Sequence, residues 1–224
     1  GSYNTAVGES ALFSNTTAGN NTAVGYQAGY SNTTSGLMTA IGSRAAYSNT
    51  TGARITAVGY QAAYSNTTGT NNVAIGANIS GYTGTLGSNT TGNYNVAIGD
   101  SALNFSTTAS SNTALGYAAL LFNTTASDST AVGYQAGYSS TTGERNTAVG
   151  SQSLYTNTTG SFNAAFGRAS MYFNTTGQQN VALGQDALFS NSTGSYNVAV
   201  GKSALQTNTT ASNNTAVGYQ AGYV

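Results

Sequence analysis

The chain of 224 residues contains no histidine, cysteine, tryptophan or proline, and only 4% of its residues are charged. Histidine and cysteine supply the commonest general base, the thiolate nucleophile and the preferred ligands of transition metals. The five carboxylates are scattered along the chain and form no recognisable acid pair. We therefore expect no enzymatic activity, no cofactor, no metal site and no disulfide framework.

The charge balance excludes two classes of partner. Five cations offset five anions, so there is no basic surface to attract nucleic acid or anionic lipid. No apolar run approaches the roughly 20 residues that a membrane-spanning helix needs. We expect neither nucleic-acid binding nor membrane insertion.

A short signature, alanine followed by a hydrophobic residue and glycine, recurs thirteen times through the chain. Eleven of the twelve intervals between its glycines are 17 residues long, and the interval from Gly76 to Gly99 is 23. A fixed period across a whole chain predicts one small unit stacked on itself, which favours order over disorder despite the Gly, Ser, Asn and Thr content. The signature glycines, called position 0 below, are Gly8, Gly25, Gly42, Gly59, Gly76, Gly99, Gly116, Gly133, Gly150, Gly167, Gly184, Gly201 and Gly218.

Each copy of the repeat reads as two short strands and two turns. A stretch such as Asn21–Gly25 alternates in polarity and ends in glycine, which is typical of a short strand. Alanine at +3 and an aromatic residue at +5 follow as a second apolar stretch. The polar sequence Ser-Asn-Thr-Thr-Gly then leads to the next copy. Glycine and asparagine at regular places disfavour a helix, and the absence of proline suits a stack of hydrogen-bonded coils. The sequence predicts one all-β domain over 1–224, a parallel β-solenoid of about 13 coils, with a six-residue turn insertion within 77–98.

The alanine at position −2 is invariant. Strand alternation places it opposite the hydrophobe at −1, which we expect to fill the interior together with the Ala–aromatic pair. Small side chains on one face of every coil then predict close approach of a partner chain, although alanine also suits a tight bend inside a single-chain solenoid. The predicted oligomer face comprises Ala6, Ala23, Ala40, Ala57, Ala74, Ala97, Ala114, Ala131, Ala148, Ala165, Ala182, Ala199 and Ala216.

Asparagine in the polar turn has two interpretations. Stacked amides can hydrogen-bond from coil to coil as a ladder, and asparagine favours turns. The same Asn-Thr-Thr motif is also an N-glycosylation acceptor, which requires an exposed side chain. The residues concerned are Asn15, Asn32, Asn49, Asn66, Asn89, Asn123, Asn157, Asn174, Asn191 and Asn208.

The aromatic residues fall into two groups. Those at +5 keep step with the alanine at +3, so we expect them to complete the apolar interior, although an exposed stripe could instead stack against carbohydrate. Tyrosines at +1 follow the signature glycine directly and are predicted to be exposed, where they could contact a partner chain or ligand. This second group is Tyr26, Tyr60, Tyr117, Tyr134 and Tyr219.

The charged residues support the same register. All of them lie near the two turns of their coils, and Asp128 and Arg145 occupy the same position in consecutive copies. Stacked coils would bring this pair within about 4.8 Å. Arg168, Asp186 and Lys202 form a similar series of alternating sign in three further copies.

Segments such as Val73–Gly76 and Asn95–Gly99 resemble the head repeats of trimeric autotransporter adhesins. The longer unit Asn21–Thr34 resembles repeats of bacterial surface proteins and of phage tail-fibre-like proteins. The resemblance extends over essentially the whole chain. It implies a left-handed β-roll, a homotrimer and a place on a cell or virion surface. The 17-residue coil is longer than the adhesin-head unit.

Three functions follow as hypotheses. The first is a structural segment of an extracellular fibre or adhesin-like filament, associating with itself. The second is ice binding by regularly spaced threonines at −3, +8 and +9, and the third is receptor or carbohydrate binding at a fibre tip. Gly1 lies at −7 and Val224 at +6, so copies placed head to tail would nearly continue the coil. We expect each terminal coil to be covered by another subunit or by more of the same chain.

Overall fold

The protein is an all-β parallel β-solenoid of thirteen three-residue strands, with one strand in each coil of about 17 residues. The structure, a computed structural model, describes residues 1–78 and 81–223. Within those residues there is no helix that could cross a membrane. The chain divides into two compact units, Gly1–Asn112 and Thr113–Val224.

The first unit carries six strands in sequence order along one parallel sheet. Each strand pairs with the next so that equivalent repeat positions meet, as in the pairing of Ala6 with Ala23 and of Ala23 with Ala40. The strands are β1 (Thr5–Val7), β2 (Thr22–Val24), β3 (Thr39–Ile41), β4 (Thr56–Val58), β5 (Val73–Ile75) and β6 (Val96–Ile98).

The second unit repeats the arrangement with seven strands. The register is the same, with Ala114 facing Ala131 and Ala199 facing Ala216. The strands are β7 (Thr113–Leu115), β8 (Thr130–Val132), β9 (Thr147–Val149), β10 (Ala164–Phe166), β11 (Val181–Leu183), β12 (Val198–Val200) and β13 (Thr215–Val217).

Backbone hydrogen bonds between coils extend beyond the strands into the corners. The N–H of Gly42 donates to the carbonyl of Val24 at 2.8 Å, and the N–H of Thr50 donates to Thr67 at 3.0 Å. Equivalent bonds recur at the same repeat positions along each unit. Proline would remove such a bond at most positions of the coil, which explains why the chain lacks it.

The corners depend on left-handed backbone conformations. The signature glycines have φ between 121° and 139°, and a Cβ on Gly59 would lie 2.1 Å from the carbonyl oxygen of Gly76. In almost every coil the residues at −5, +2 and +4 also turn with positive φ, and 35 of them in the described part of the chain are not glycine. Two features therefore require glycine at position 0: its positive φ, and the close approach of the neighbouring coil, which leaves no space for a Cβ.

The interior differs from the prediction. It contains alanine at −2 and +3, a leucine or methionine at +4 in many coils, and asparagine at −4 and +7. The +4 residues Leu103, Leu154, Met171 and Leu188 are at most 1% exposed, although the repeat pattern predicts no role for them. Positive φ at +2 and +4 breaks the two-residue alternation, so that +3 and +4 both point inward.

The long coil keeps its register despite its extra residues. Counting from Gly76, the repeat is regular to Ala77 at +1 and resumes with Thr85 at +3. Asn78 lacks the positive φ of the other +2 residues, so the six additional residues fall within 78–84, of which 79 and 80 lie outside the described residues. The N–H of Ala63 donates to the carbonyl of Thr85 at 3.0 Å, as an ordinary +4 residue does to the next coil. The insertion therefore enlarges one turn without shifting the ladder.

Candidate functional site

The invariant alanines at −2 line the inside of the coil. Twelve of the thirteen are at most 9% exposed, and only Ala6 in the first coil is exposed. The prediction that this row faces a partner chain is therefore wrong, and the alternative of a small residue inside the solenoid is correct. The −2 and +4 positions are already close together, since a Cβ on Gly137 at +4 would lie 3.7 Å from the Ala131 Cβ. The residues concerned are Ala6, Ala23, Ala40, Ala57, Ala74, Ala97, Ala114, Ala131, Ala148, Ala165, Ala182, Ala199 and Ala216.

The hydrophobes at −1 lie on the outer face of the sheet instead. Leu183 is 50% exposed, Leu115 44% and Ile41 40%. Residues at −3, mostly threonine or valine, share this face because alternate residues of a strand point the same way. Each unit therefore exposes two adjacent, uncharged rows, called the sheet face below.

Asparagines at +7 form a ladder inside the coil. In eight of the ten the side chain is buried, and the amide of Asn174 donates to Asn157 Oδ1 at 2.8 Å and to the carbonyl of Gly177 at 3.0 Å. Asn191 repeats both bonds one coil on. An amide nitrogen that is buried and bonded in this way cannot carry a glycan in the folded coil, so the ladder interpretation is the correct one at Asn32, Asn49, Asn66, Asn89, Asn157, Asn174 and Asn191. Asn123 is equally buried, but among the described residues its amide donates only to the carbonyl of Ala126, because serine replaces asparagine in both neighbouring coils.

The two outermost residues of the +7 set, Asn15 and Asn208, are half-buried rather than buried. They still belong to the ladder, because Asn32 donates to Asn15 Oδ1 at 3.3 Å and Asn208 donates to Asn191 Oδ1 at 2.9 Å. Their amides also donate to the carbonyls of Ala18 and Ala211.

A second ladder runs through the asparagines at −4. The Oδ1 of Asn163 accepts the backbone N–H of Asn180 at 3.0 Å, and the Asn163 amide donates to the carbonyl of Gly177 at 2.8 Å. The sequence showed the recurrence of asparagine here but not its role. The two ladders together satisfy polar groups along the narrow interior, which cannot supply a large apolar core.

The +7 ladder is interrupted where serine replaces asparagine. Among the described residues, Asn123 Oδ1 and Ser140 Oγ in the second unit are buried without a hydrogen-bond partner, as are Asn89 Oδ1 and Ser106 Oγ in the first. The serine hydroxyl is too short to reach the neighbouring amide. These breaks are local weak points in otherwise continuous ladders.

The aromatic residues at +5 stack on the outside of the coil, not within it. Tyr138, Tyr155 and Tyr172 are half-buried, with successive ring centroids 5.0 Å apart and planes within 13° of parallel. Phe13 to Tyr64 form a similar stack in the first unit. The expectation of an apolar inner layer is wrong because the +4 residues occupy that space.

Ring stacking also decides what these aromatics can bind. Their faces are turned toward one another, so a sugar ring cannot lie flat on them. Burial raises the pKa of the Tyr155 phenol, and repulsion from the ionised forms of Tyr172 and Tyr134 raises this pKa further. The fold therefore favours the neutral form of the Tyr155 phenol.

Tyrosines at +1 are exposed, as predicted, and Tyr26, Tyr60, Tyr117, Tyr134 and Tyr219 all lie at the surface. Tyr117 and Tyr134 stack with a centroid separation of 5.3 Å, and the Arg44 guanidinium lies 5.8 Å from the ring centroid of Tyr26.

The structure confirms the predicted Asp128–Arg145 pair, and it pairs the first two members of the predicted series Arg168, Asp186 and Lys202. Arg145 Nε lies 3.6 Å from Asp128 Oδ2, and Arg168 lies 3.6 Å from the Asp186 carboxylate. Such exposed pairs contribute about 0–1 kcal/mol each, so their importance lies in confirming the register. Within the described residues, no cluster of three metal-ligating His, Cys, Asp or Glu side chains occurs.

No protein-family model, curated protein or solved structure matches this chain. The candidate site is therefore defined by the chain's own geometry, and the sheet face is a regular, uncharged surface of each unit.

Proposed function

We propose that the chain is a structural segment of an extracellular fibre or surface filament, in which three copies associate side by side as left-handed coils. Each coil bonds to its neighbours through backbone and asparagine ladders, which is the construction expected of a stiff, repetitive scaffold. The left-handedness, the trimer and the extracellular location follow from the resemblance to adhesin-head repeats.

The observation that carries this proposal is the exposed apolar row at −1 in the second unit. Leu115, Phe166 and Leu183 are 44%, 39% and 50% exposed on a sheet whose strands already pair with one another. Burial of apolar surface yields about 25 cal/mol per Å². A second copy of the chain offers an equally uncharged row with the same spacing, and cyclic symmetry brings identical rows together.

Sedimentation equilibrium or native mass spectrometry in dilute buffer tests the proposal, and three chains per particle is the expected result. Leu183→Lys places a charge in the row and should release monomers. Thr193→Lys adds the same charge to the same repeat at +9, an exposed position outside the sheet face, and should leave the trimer intact. A stable, folded wild-type monomer at all concentrations would contradict the proposal.

A further inference from the structure

We infer that the sheet face of the first unit is an ice-binding surface. Its two rows contribute twelve residues from β1–β6, and every one is threonine, valine or isoleucine. No charged residue interrupts either row. The row at −3 is Thr5, Thr22, Thr39, Thr56, Val73 and Val96, and the row at −1 is Val7, Val24, Ile41, Val58, Ile75 and Ile98.

These side chains are held on a regular grid. Parallel pairing in constant register sets the coil spacing near 4.8 Å, and two residues along a strand span about 6.6 Å. The adjacent +5 stack independently shows even coil spacing, with centroid separations of 5.1, 5.1 and 5.2 Å. All twelve residues are β-branched and therefore restricted about χ1. Little conformational entropy remains to be lost on binding.

The chemistry of the grid suits an ordered water lattice. Methyl groups cannot hydrogen-bond, so water above them bonds to other water, while threonine hydroxyls offer a donor and two acceptor sites at fixed places. Ice is uncharged and repeats in two dimensions on the same scale of a few ångströms. Each contact with the lattice is weak, but the contact energies add, because the side chains of a rigid array lose little further conformational entropy on binding.

The second unit lacks this regularity. Leu115, Phe166 and Leu183 project bulkier groups, and Ala164 leaves a gap in the −3 row. The protein-association face proposed above and the ice-binding face are therefore different parts of the chain, and each can be tested without the other.

The threonines of the polar turn do not form a comparable surface. At +8 the hydroxyl is already engaged, since Thr33 Oγ1 donates to the carbonyl of Thr50 at 3.1 Å and Thr50 Oγ1 donates to Thr67 at 3.0 Å. The residues at +9, such as Thr51, are exposed but form a single row. Ice binding is thus assigned to the sheet face alone.

The test uses the purified full chain in assays of thermal hysteresis and inhibition of ice recrystallisation. The wild type should be active in both. Ile41→Lys places a charge at the centre of the grid and should abolish activity, whereas Thr51→Lys should retain it. Circular dichroism establishes that the variants remain folded.

Thr39→Ser provides a milder variant that keeps the hydroxyl and removes one methyl group, and it should lower activity. An inactive wild type would overturn the inference, as would full activity of Ile41→Lys. A reduced particle mass for Ile41→Lys with unchanged ice activity would identify the first unit's face as a protein interface and would also overturn it.

Discussion

Replacing Ser140 with asparagine should stabilise the protein by closing a gap in the +7 ladder. In the second unit, intact steps of this ladder join Asn157, Asn174 and Asn191 with Nδ2–Oδ1 distances of 2.8 Å. At the gap, Asn123 Oδ1 and Ser140 Oγ are buried, and neither has a partner among the residues that the structure describes. The substitution supplies the missing amide at a position built like its neighbours.

The magnitude follows from the groups involved. A buried polar group without a partner costs about 1–3 kcal/mol, and a new hydrogen bond contributes about 1 kcal/mol. Ordering the longer side chain costs up to about 1 kcal/mol. We expect Ser140→Asn to raise the free energy of unfolding by about 2 kcal/mol, which corresponds to roughly 4–8 °C in a chain of this size.

Thermal and urea unfolding followed by circular dichroism measure the effect. Ser139→Asn makes the same chemical change at the adjacent, partly exposed position and should be nearly neutral. The gain should disappear when Ser140→Asn is combined with Asn123→Ala, because the new amide then has no ladder acceptor. Destabilisation by Ser140→Asn, or a gain independent of Asn123, would refute the reasoning.

Three further predictions concern the corners and the aromatic stack. Gly59→Ala should destabilise the fold by about 3 kcal/mol or more in urea unfolding, because the new Cβ would lie 2.1 Å from the carbonyl oxygen of Gly76. Gly36→Ala should cost much less, because its Cβ would lie 3.1 Å from the nearest carbonyl oxygen, that of Gly19. Gln179 has a φ of 55°, which is unfavourable for a side chain with a Cβ, so Gln179→Gly should stabilise the fold by up to about 1 kcal/mol. Gln178 does not have a positive φ, so Gln178→Gly should destabilise by a similar amount in the same assay, because glycine makes the unfolded chain more flexible. The pKa of the Tyr155 phenol is raised in the folded state, so the neutral phenol stabilises the fold. This stabilisation is complete below a pH of about 10 and is lost as the pH rises through the raised pKa. Tyr155→Phe should therefore weaken the loss of stability at alkaline pH in unfolding curves measured from about pH 8 to 12.

The period of the sequence was enough to predict the solenoid, its coil length and the stacking of equivalent positions. Asp128 and Arg145 illustrate why, since a constant repeat brings the same position of consecutive coils together. The +7 asparagine ladder and the exposure of the +1 tyrosines followed from the same register.

The direction in which side chains point could not be predicted equally well. Strand alternation correctly placed −2 and −1 on opposite faces, but it does not identify the inner face, and the choice of valine over alanine was wrong. Hydrophobicity favoured valine at the inner position, whereas the structure buries the smaller alanine there and leaves the larger residue on the outer face. The positive φ of residues such as Leu103 and Leu154 could not be predicted from the sequence, because leucine rarely adopts this conformation.

The composition of the interior has a thermodynamic consequence. Unfolding this chain would expose alanine and asparagine in place of the large aliphatic groups of an ordinary core, and exposure of polar surface lowers the heat capacity that apolar exposure raises. The heat-capacity change per residue should therefore be unusually small, which flattens the dependence of stability on temperature. Hydrophobic stabilisation fades on cooling, but hydrogen-bonded amide ladders do not depend on it. A solenoid built in this way is suited to remain folded in supercooled water.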